Sequence, residues 1–312
     1  MKTLTGFATT RVLVIIIATG LMLSCGGNKT LTNLTARETF ELGREKYDKK
    51  KYFDAIEKFQ AVIYNFPGDA IVDTAQYYLG MAYFRNDDFQ LAAVEFNRLA
   101  LNYPSSAFFE RAIYLKAVSY YESTPGHYGL DQSELKSAIK LFEDFLIDFP
   151  ESDQVEGARE HLLAARTRMA RKFYSSGIVY DRIGAYVAAK TYFQRVIDDY
   201  TDTEFAPLAT YYYALMEFKL EDYEEARLKF ESFLAVFPDH EMASKATEKI
   251  VEAAFNRCKK YYDNGEMSEA RPCWEEFQND FPNHNRSSKA GKYLEKLLHQ
   301  DLTESQGEHA GH

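Results

Sequence analysis

The sequence predicts an all-α fold, a solenoid of about six helical hairpins closed by a capping helix, and three periodic observations predict it. An alanine is followed four residues later by an aromatic six times: Ala55/Phe59, Ala92/Phe96, Ala138/Phe142, Ala189/Phe193, Ala226/Phe230 and Ala270/Trp274. Each pair is closed twelve residues after its alanine by Pro67, Pro104, Pro150, Thr201, Pro238 or Pro282, and an aromatic precedes each closing residue. A second small residue (Gly43, Gly80, Ala117, Gly177, Ala214, Cys258) stands ahead of the alanine, by twelve residues in every unit but the third.

These spacings have a packing reason. Residues four apart share one helix face, so the alanine lets a neighbour approach and the aromatic fills the space one turn on. Proline cannot continue a helix and biases its predecessor out of helical geometry, which cuts every unit at the same place. Small residues on both helices are expected to face one another. One hairpin cannot bury its apolar face alone, so neighbours must stack. The order Leu79-Gly80, Tyr83, Ala92, Phe96, Pro104 resembles the tetratricopeptide (TPR) unit, and Leu42-Gly43, Ala55, Phe59, Pro67 repeats it.

Taken in order, residues 1–24 read as a signal peptide: Lys2 and Arg11 precede an apolar run from Val12 to Leu23, too short for a comfortable membrane span. The run ends at Met22-Leu23-Ser24-Cys25-Gly26-Gly27, which resembles a bacterial lipobox with Met22 in the usual leucine position. That resemblance implies lipidation of Cys25 and, with Gly26 after it, an outer membrane location facing the periplasm. Residues 25–35 are small and polar, the composition of a flexible tether. Hairpins are expected over 36–67, 73–104, 109–150, 165–201, 206–238 and 243–282. In the third, nine extra residues separate the small positions, and the stretch Ser123 to Gln132, with Pro125, Gly126 and Gly129, reads as an extended loop. Such a loop either makes a contact or is a tolerated insertion. Tyr293, Leu294, Leu297 and Leu298 suit a capping helix that ends near residue 300, and residues 301–312 read as a disordered tail.

Composition narrows the function. The chain carries a formal charge of -10, about -12 without the signal peptide, whereas nucleic-acid binding needs clustered Lys and Arg. No phosphate-cradling glycine loop, nucleophile elbow or metal-ligand histidine spacing is present, so neither catalysis, a cofactor nor a metal is expected. Cys258 and Cys273 fall on the two helices of the sixth hairpin, where they form either a disulfide or two buried thiols.

The run from Met169-Ala170-Arg171 through Tyr180-Asp181-Arg182-Ile183-Gly184-Ala185-Tyr186 to Asp199-Tyr200-Thr201-Asp202-Thr203 is similar to the fourth repeat of the BamD (YfiO/ComL) family of outer membrane assembly TPR lipoproteins. Lipobox, tether, five phased repeats over 36–240 and the long third loop follow the same order. Three features depart from the family: Thr201 replaces its usual closing proline, Thr191-Tyr192 replaces an Asn-Arg pair, and residues 241–300 add a hairpin and cap. The extra end either docks something or simply caps the solenoid.

The resemblance implies a non-catalytic scaffold that binds unfolded outer membrane β-barrel proteins, the BamA-type barrel subunit and other assembly lipoproteins. In TPR stacks the first helices line the groove, which places Phe40, Tyr47, Tyr77, Phe84, Tyr114, Tyr121, Tyr174, Tyr211 and Phe218 towards it, with Arg37, Arg44, Arg85, Arg111 and Arg171 among them; any one of these rings either lines the groove or belongs to the core between repeats, and the reading rests on the set. Rings offer area, and guanidinium pairs with carboxylate, a match for an extended peptide with an aromatic or anionic end. The alternative is a periplasmic TPR adaptor coordinating peptidoglycan synthesis or cell division, similar to the TolA-binding coordinator family. That family carries a coiled coil and no lipid. A lipoprotein enzyme using the repeats only for docking lacks a catalytic set.

Overall fold

The computed structural model describes residues 34–309, with side chains as far as His299. Cys25, the signal peptide and most of the tether lie outside the described residues. Thirteen helices and no strand are found among the described residues: α1 (Ala36–Asp48), α2 (Tyr52–Asn65), α3 (Val72–Arg85), α4 (Phe89–Asn102), α5 (Phe109–Ser123), α6 (Ser133–Asp148), α7 (Val155–Arg182), α8 (Tyr186–Asp199), α9 (Phe205–Lys219), α10 (Tyr223–Val236), α11 (Ala243–Asp263), α12 (Met267–Asp280) and α13 (Ser287–His309). The chain forms two compact units, divided between Phe109 and Glu110.

The repeat signature is the core. All six alanines and all six aromatics of the Ala/aromatic pairs have no exposed surface. Truncating such a buried ring to alanine costs about 3–5 kcal/mol, so each pair dominates its hairpin. In both units helices pack on their sequence neighbours, α1 on α2 and α2 on α3 in the first, α7 on α8 through α12 on α13 in the second.

The small residues work differently from the expectation that they face one another. A Cβ added to Gly43, Gly80 or Gly177 would lie 2.7, 2.7 and 2.6 Å from a ring carbon of Phe59, Phe96 and Phe193 respectively. Glycine therefore faces the ring, not the alanine. At these three positions the helix backbone rests on the flat aromatic.

Helix ends repeat as regularly. Every second helix stops two residues before its closing position, and the aromatic in between caps it: Phe66, Tyr103, Phe149, Tyr200, Phe237 and Phe281 each donate their N–H to the carbonyl four residues back. A tight turn follows, in which Asp69, Ser106, Ser152, Thr203, His240 and His284 donate to those same six aromatics. Thr201 sits in this series without a proline and the turn is unchanged. Arg166 reinforces it, donating from Nε to Asp202 at 2.8 and 3.0 Å and from Nη2 to the Asp199 carbonyl at 2.7 Å.

Within hairpins, the reversal uses a left-handed residue. Lys50, Asp87, Gly184, Glu221 and Gly265 have φ of 57, 62, 77, 61 and 79°. The next residue in each case donates to the carbonyl five positions back, at 2.9–3.1 Å (Lys51 to Lys46, Asp88 to Tyr83, Ala185 to Tyr180, Asp222 to Glu217, Glu266 to Tyr261), the closing bond of a Schellman motif.

Two boundaries differ from expectation. α7 begins at Val155, ten residues before the anticipated 165, because Val155 to Ala164 contains no proline and buries Ala158 against its neighbours. The last helix runs to His309, so the backbone of residues 301–309 is helical where a tail from 301 was expected. No proline interrupts that stretch, and a helix once nucleated propagates cheaply.

Candidate functional site

In the first unit the predicted groove residues separate by register. Phe40 and Tyr77, each three residues before the small position, are 5% and 4% exposed and belong to the core. Phe40 packs on Phe59 and Tyr78, with centroids 5.6 and 5.7 Å apart, while Tyr77 stacks on Phe108 at 4.3 Å. Neither ring is available to a ligand, which corrects the expectation for both. Tyr47 and Phe84, four residues after the small position, brace the hairpin reversal edge-on against Tyr52 and Phe89 at 5.5 and 5.2 Å.

Arg44, Tyr47 and Arg85 come together on one face where α1 meets α3. The Arg44 guanidinium carbon sits 4.1 Å above the Tyr78 ring, a cation–π contact. Tyr47 meets Tyr78 edge-on at 5.8 Å, and Arg85 is close enough to act on the Tyr47 hydroxyl. Burial raises the Tyr47 hydroxyl pKa against the opposing pull of Arg85, so it stays neutral. Arg44 reaches Asp48 only at 3.9 Å, and its Nε is buried without an acceptor. A buried orphan donor is costly. The face thus offers two guanidinium groups, two tyrosine rings and one unfilled N–H. Sequence reading took Tyr77 and missed Tyr78; the i, i+4 phase from Thr74 to Tyr78 points away from the hairpin's own core and could have found it.

In the second unit Tyr114, Tyr121 and Tyr174 are partly buried in ring clusters. Tyr114 lies 6.3 and 5.9 Å from Phe142 and Phe145, its hydroxyl is 3.3 Å from His161 Nδ1, and burial raises its pKa. Tyr121 is edge-on to His161 at 5.7 Å, beneath Arg168. Tyr174 packs among Phe193, Phe205 and Tyr212, and burial pushes its hydroxyl far up. Tyr211 is a core residue at 5% exposure, and Phe218 braces Tyr223 at 5.4 Å. These rings are principally packing.

The third-hairpin loop is built rather than slack. Arg168 donates to the carbonyls of Tyr121, Thr124 and Pro125 at 3.3, 3.1 and 3.1 Å. Gln132, 2% exposed, donates to those of Pro125, His127 and Asp131. Farther along, a pocket of about 310 Å³ is lined by Lys190, Thr191, Gln194, Arg195, Asp198 and Tyr213. Lys190 pairs with the buried Glu217 at 2.7 Å, and Tyr192 stacks on Tyr180 at 5.1 Å.

Cys258 and Cys273 are joined in the structure, Sγ to Sγ at 2.01 Å and Cα to Cα at 5.3 Å. Among the described residues no group of three His, Cys, Asp or Glu side chains is placed to hold a metal ion, and no helix is long and apolar enough to cross a membrane.

Comparison with known proteins places this architecture. Residues 32–215 match the outer membrane lipoprotein family YfiO, and residues 208–240 match a tetratricopeptide repeat family. The chain is 22% identical over 223 residues to the outer membrane protein assembly factor BamD of Vibrio cholerae, covering 68% of this chain and 90% of that one. To BamD of Rickettsia prowazekii it is 27% identical over 207 residues, covering 65% and 81%. Among solved structures, a TPR protein from Bacteroides fragilis aligns over 85% of this chain and 99% of its own at 11% identity and a TM-score of 0.36. With the family match extending over more than half of its length, and helical hairpins repeating throughout the described residues, the chain belongs to the YfiO family of outer membrane lipoproteins.

Proposed function

We propose that this protein is a non-catalytic scaffold of the β-barrel assembly machinery, lipidated at Cys25, anchored in the outer membrane facing the periplasm, and binding unfolded β-barrel proteins together with a BamA-type subunit. The family match supports the assembly role. The ligand reading rests on one observation: Arg44, with a buried unpaired Nε, and Arg85 flank Tyr47 and Tyr78 on the first helices of the first unit. Guanidinium groups beside neutral rings recognise an extended peptide ending in an aromatic residue and a carboxylate. The final strand of an unfolded barrel protein has that chemistry.

Affinity for a synthetic peptide copying such a strand tests the site. Arg44→Ala or Arg85→Ala is expected to weaken binding about tenfold, since a hydrogen bond to a charged group contributes about 1.5–3 kcal/mol. Amidating the peptide's C-terminus should reproduce the loss. Binding indifferent to both changes would remove this face from the function. For the assembly role, photo-crosslinking from position 47 in cells is expected to capture barrel proteins. Recovery of cell-wall enzymes alone would favour the adaptor reading instead.

A further inference from the structure

The reversal between α1 and α2 differs from its four counterparts in charge: it alone is a run of three lysines. Lys50 occupies the left-handed position at φ 57°, where two of the four counterparts are glycine, and a side chain there costs roughly 1–2 kcal/mol. Lys51 occupies the N-cap of α2 and, like Asp88, Ala185 and Glu266, makes no side-chain capping bond. The counterparts at Asp88, Asp222 and Glu266 are acidic, as the positive end of a helix favours, so a lysine there carries the wrong sign. Lys49, Lys50 and Lys51 are all exposed, yet the other reversals read Asn86-Asp87-Asp88, Ile183-Gly184-Ala185, Leu220-Glu221-Asp222 and Asn264-Gly265-Glu266. Residues that violate local preference without a packing gain point to a function.

What these residues present is specific. Lys49 pairs with Glu45 at 2.6 Å and Lys46 approaches Asp54 at 3.7 Å, whereas Lys50 and Lys51 have no ion-pair partner among the described residues. Phe53, two residues after Lys51, is 78% exposed. A cationic tip beside a bare aromatic ring, on a chain of net charge -10, fits anionic phospholipid: ammonium groups meet headgroup phosphates while the ring enters the interfacial layer. Chain length brings it there. Ten residues separate Cys25 from Ala36, a reach of at most about 40 Å, so this hairpin is the first along the chain from any lipid on Cys25.

We infer that the α1–α2 reversal, Lys49 to Lys51 with Phe53, is a second membrane contact that docks the first hairpin on an anionic phospholipid surface and fixes its orientation there. The approach to the membrane rests on the reading of Cys25 as the lipidated residue. The contact itself is a property of the folded surface.

The test therefore uses the mature chain from residue 25 carrying Cys25→Ser, which has no acyl group, and vesicles of phosphatidylcholine with or without phosphatidylglycerol. Sedimentation with the phosphatidylglycerol vesicles is expected at low salt and release at high salt. Replacing all three lysines (K49Q, K50Q, K51Q) should lower the partition constant about a hundredfold, and Phe53→Ser about tenfold, with thermal midpoints no lower than the parent's. Absence of binding, equal binding to both vesicle types, or binding retained by the triple variant would overturn the inference. So would capture on polyglutamate but not on vesicles, which would indicate an acidic protein partner. Mass measurement of the mature protein from cells reads the acyl group separately, so a missing lipid rejects the anchor and leaves the vesicle result standing.

Discussion

Arg166 does for the fourth hairpin what proline does for the others. Proline pre-sets a turn by restricting the chain; at Thr201 that restriction is absent, and a bidentate ion pair to Asp202 with a bond to the Asp199 carbonyl holds the same geometry. Arg166 lowers the Asp202 pKa from its ordinary 3.8. A depressed carboxylate contributes stability that is present above its unfolded value and lost as pH falls through its folded one. Acid unfolding of the parent should accordingly include a component below about pH 4 that Arg166→Met removes. The difference between the two curves is the readout, and because the pair is partly exposed it should be modest. Parallel curves would mean that the turn stands without the clamp. Thr201→Pro in the Arg166→Met background should restore stability. At this scale the sequence marked the missing proline but not its substitute, since Arg166 and Asp202 are 36 residues apart and no local pattern joins them. Tyr77 and Tyr78 teach a similar lesson: adjacent identical residues differ only in which way the helix turns them, and one is core while the other meets Arg44.

Helices and turns were far more legible. Periodic alanine, aromatic and proline positions specify where a face is buried and where a helix stops, and each such alanine and aromatic is fully covered. Less legible was the hairpin reversal, because its left-handed residue is glycine only at Gly184 and Gly265 and is hidden under Asp87 and Glu221. The conformation is imposed by the Schellman bonds and the packed helices on either side, which override residue preference. Relieving that conflict should stabilise the chain: Glu221→Gly is expected to gain about 0.5–1 kcal/mol, the left-handed cost less the extra freedom glycine gives the unfolded state. Conversely, Gly184→Ala should lose a similar amount, and with nothing within 4 Å of an added Cβ the loss is purely one of backbone. Urea denaturation of both variants checks the pair. Opposite signs at equivalent positions are the diagnostic result, and equal signs would show that side-chain contacts decide.

On the scale of the whole molecule, nearest-neighbour stacking leaves a terminal hairpin supported on one side only, and the C-terminal end shows how that is offset. α11 packs on α10 and α12, and α12 on α13. Trp274, fully buried, stacks on Tyr293 of the capping helix at 4.7 Å. Against this, Pro272 lies inside α12 and removes a helical bond, and Trp274 Nε1 is buried without a partner. The disulfide joins α11 to α12 across a sequence separation of 15 residues, a loop whose closure contributes about 3 kcal/mol by constraining the unfolded chain. In a stack with mainly local contacts that contribution stays local. Reduction, or Cys273→Ser, should therefore speed amide hydrogen exchange in α11, α12 and α13 while leaving α7 and α8 unchanged, and alkylation after reduction should add the mass of two extra labels. Exchange rising equally through α7 and α8 would instead make the second unit one cooperative block. In that case the added hairpin would be an integral part of the fold rather than a cap latched onto it.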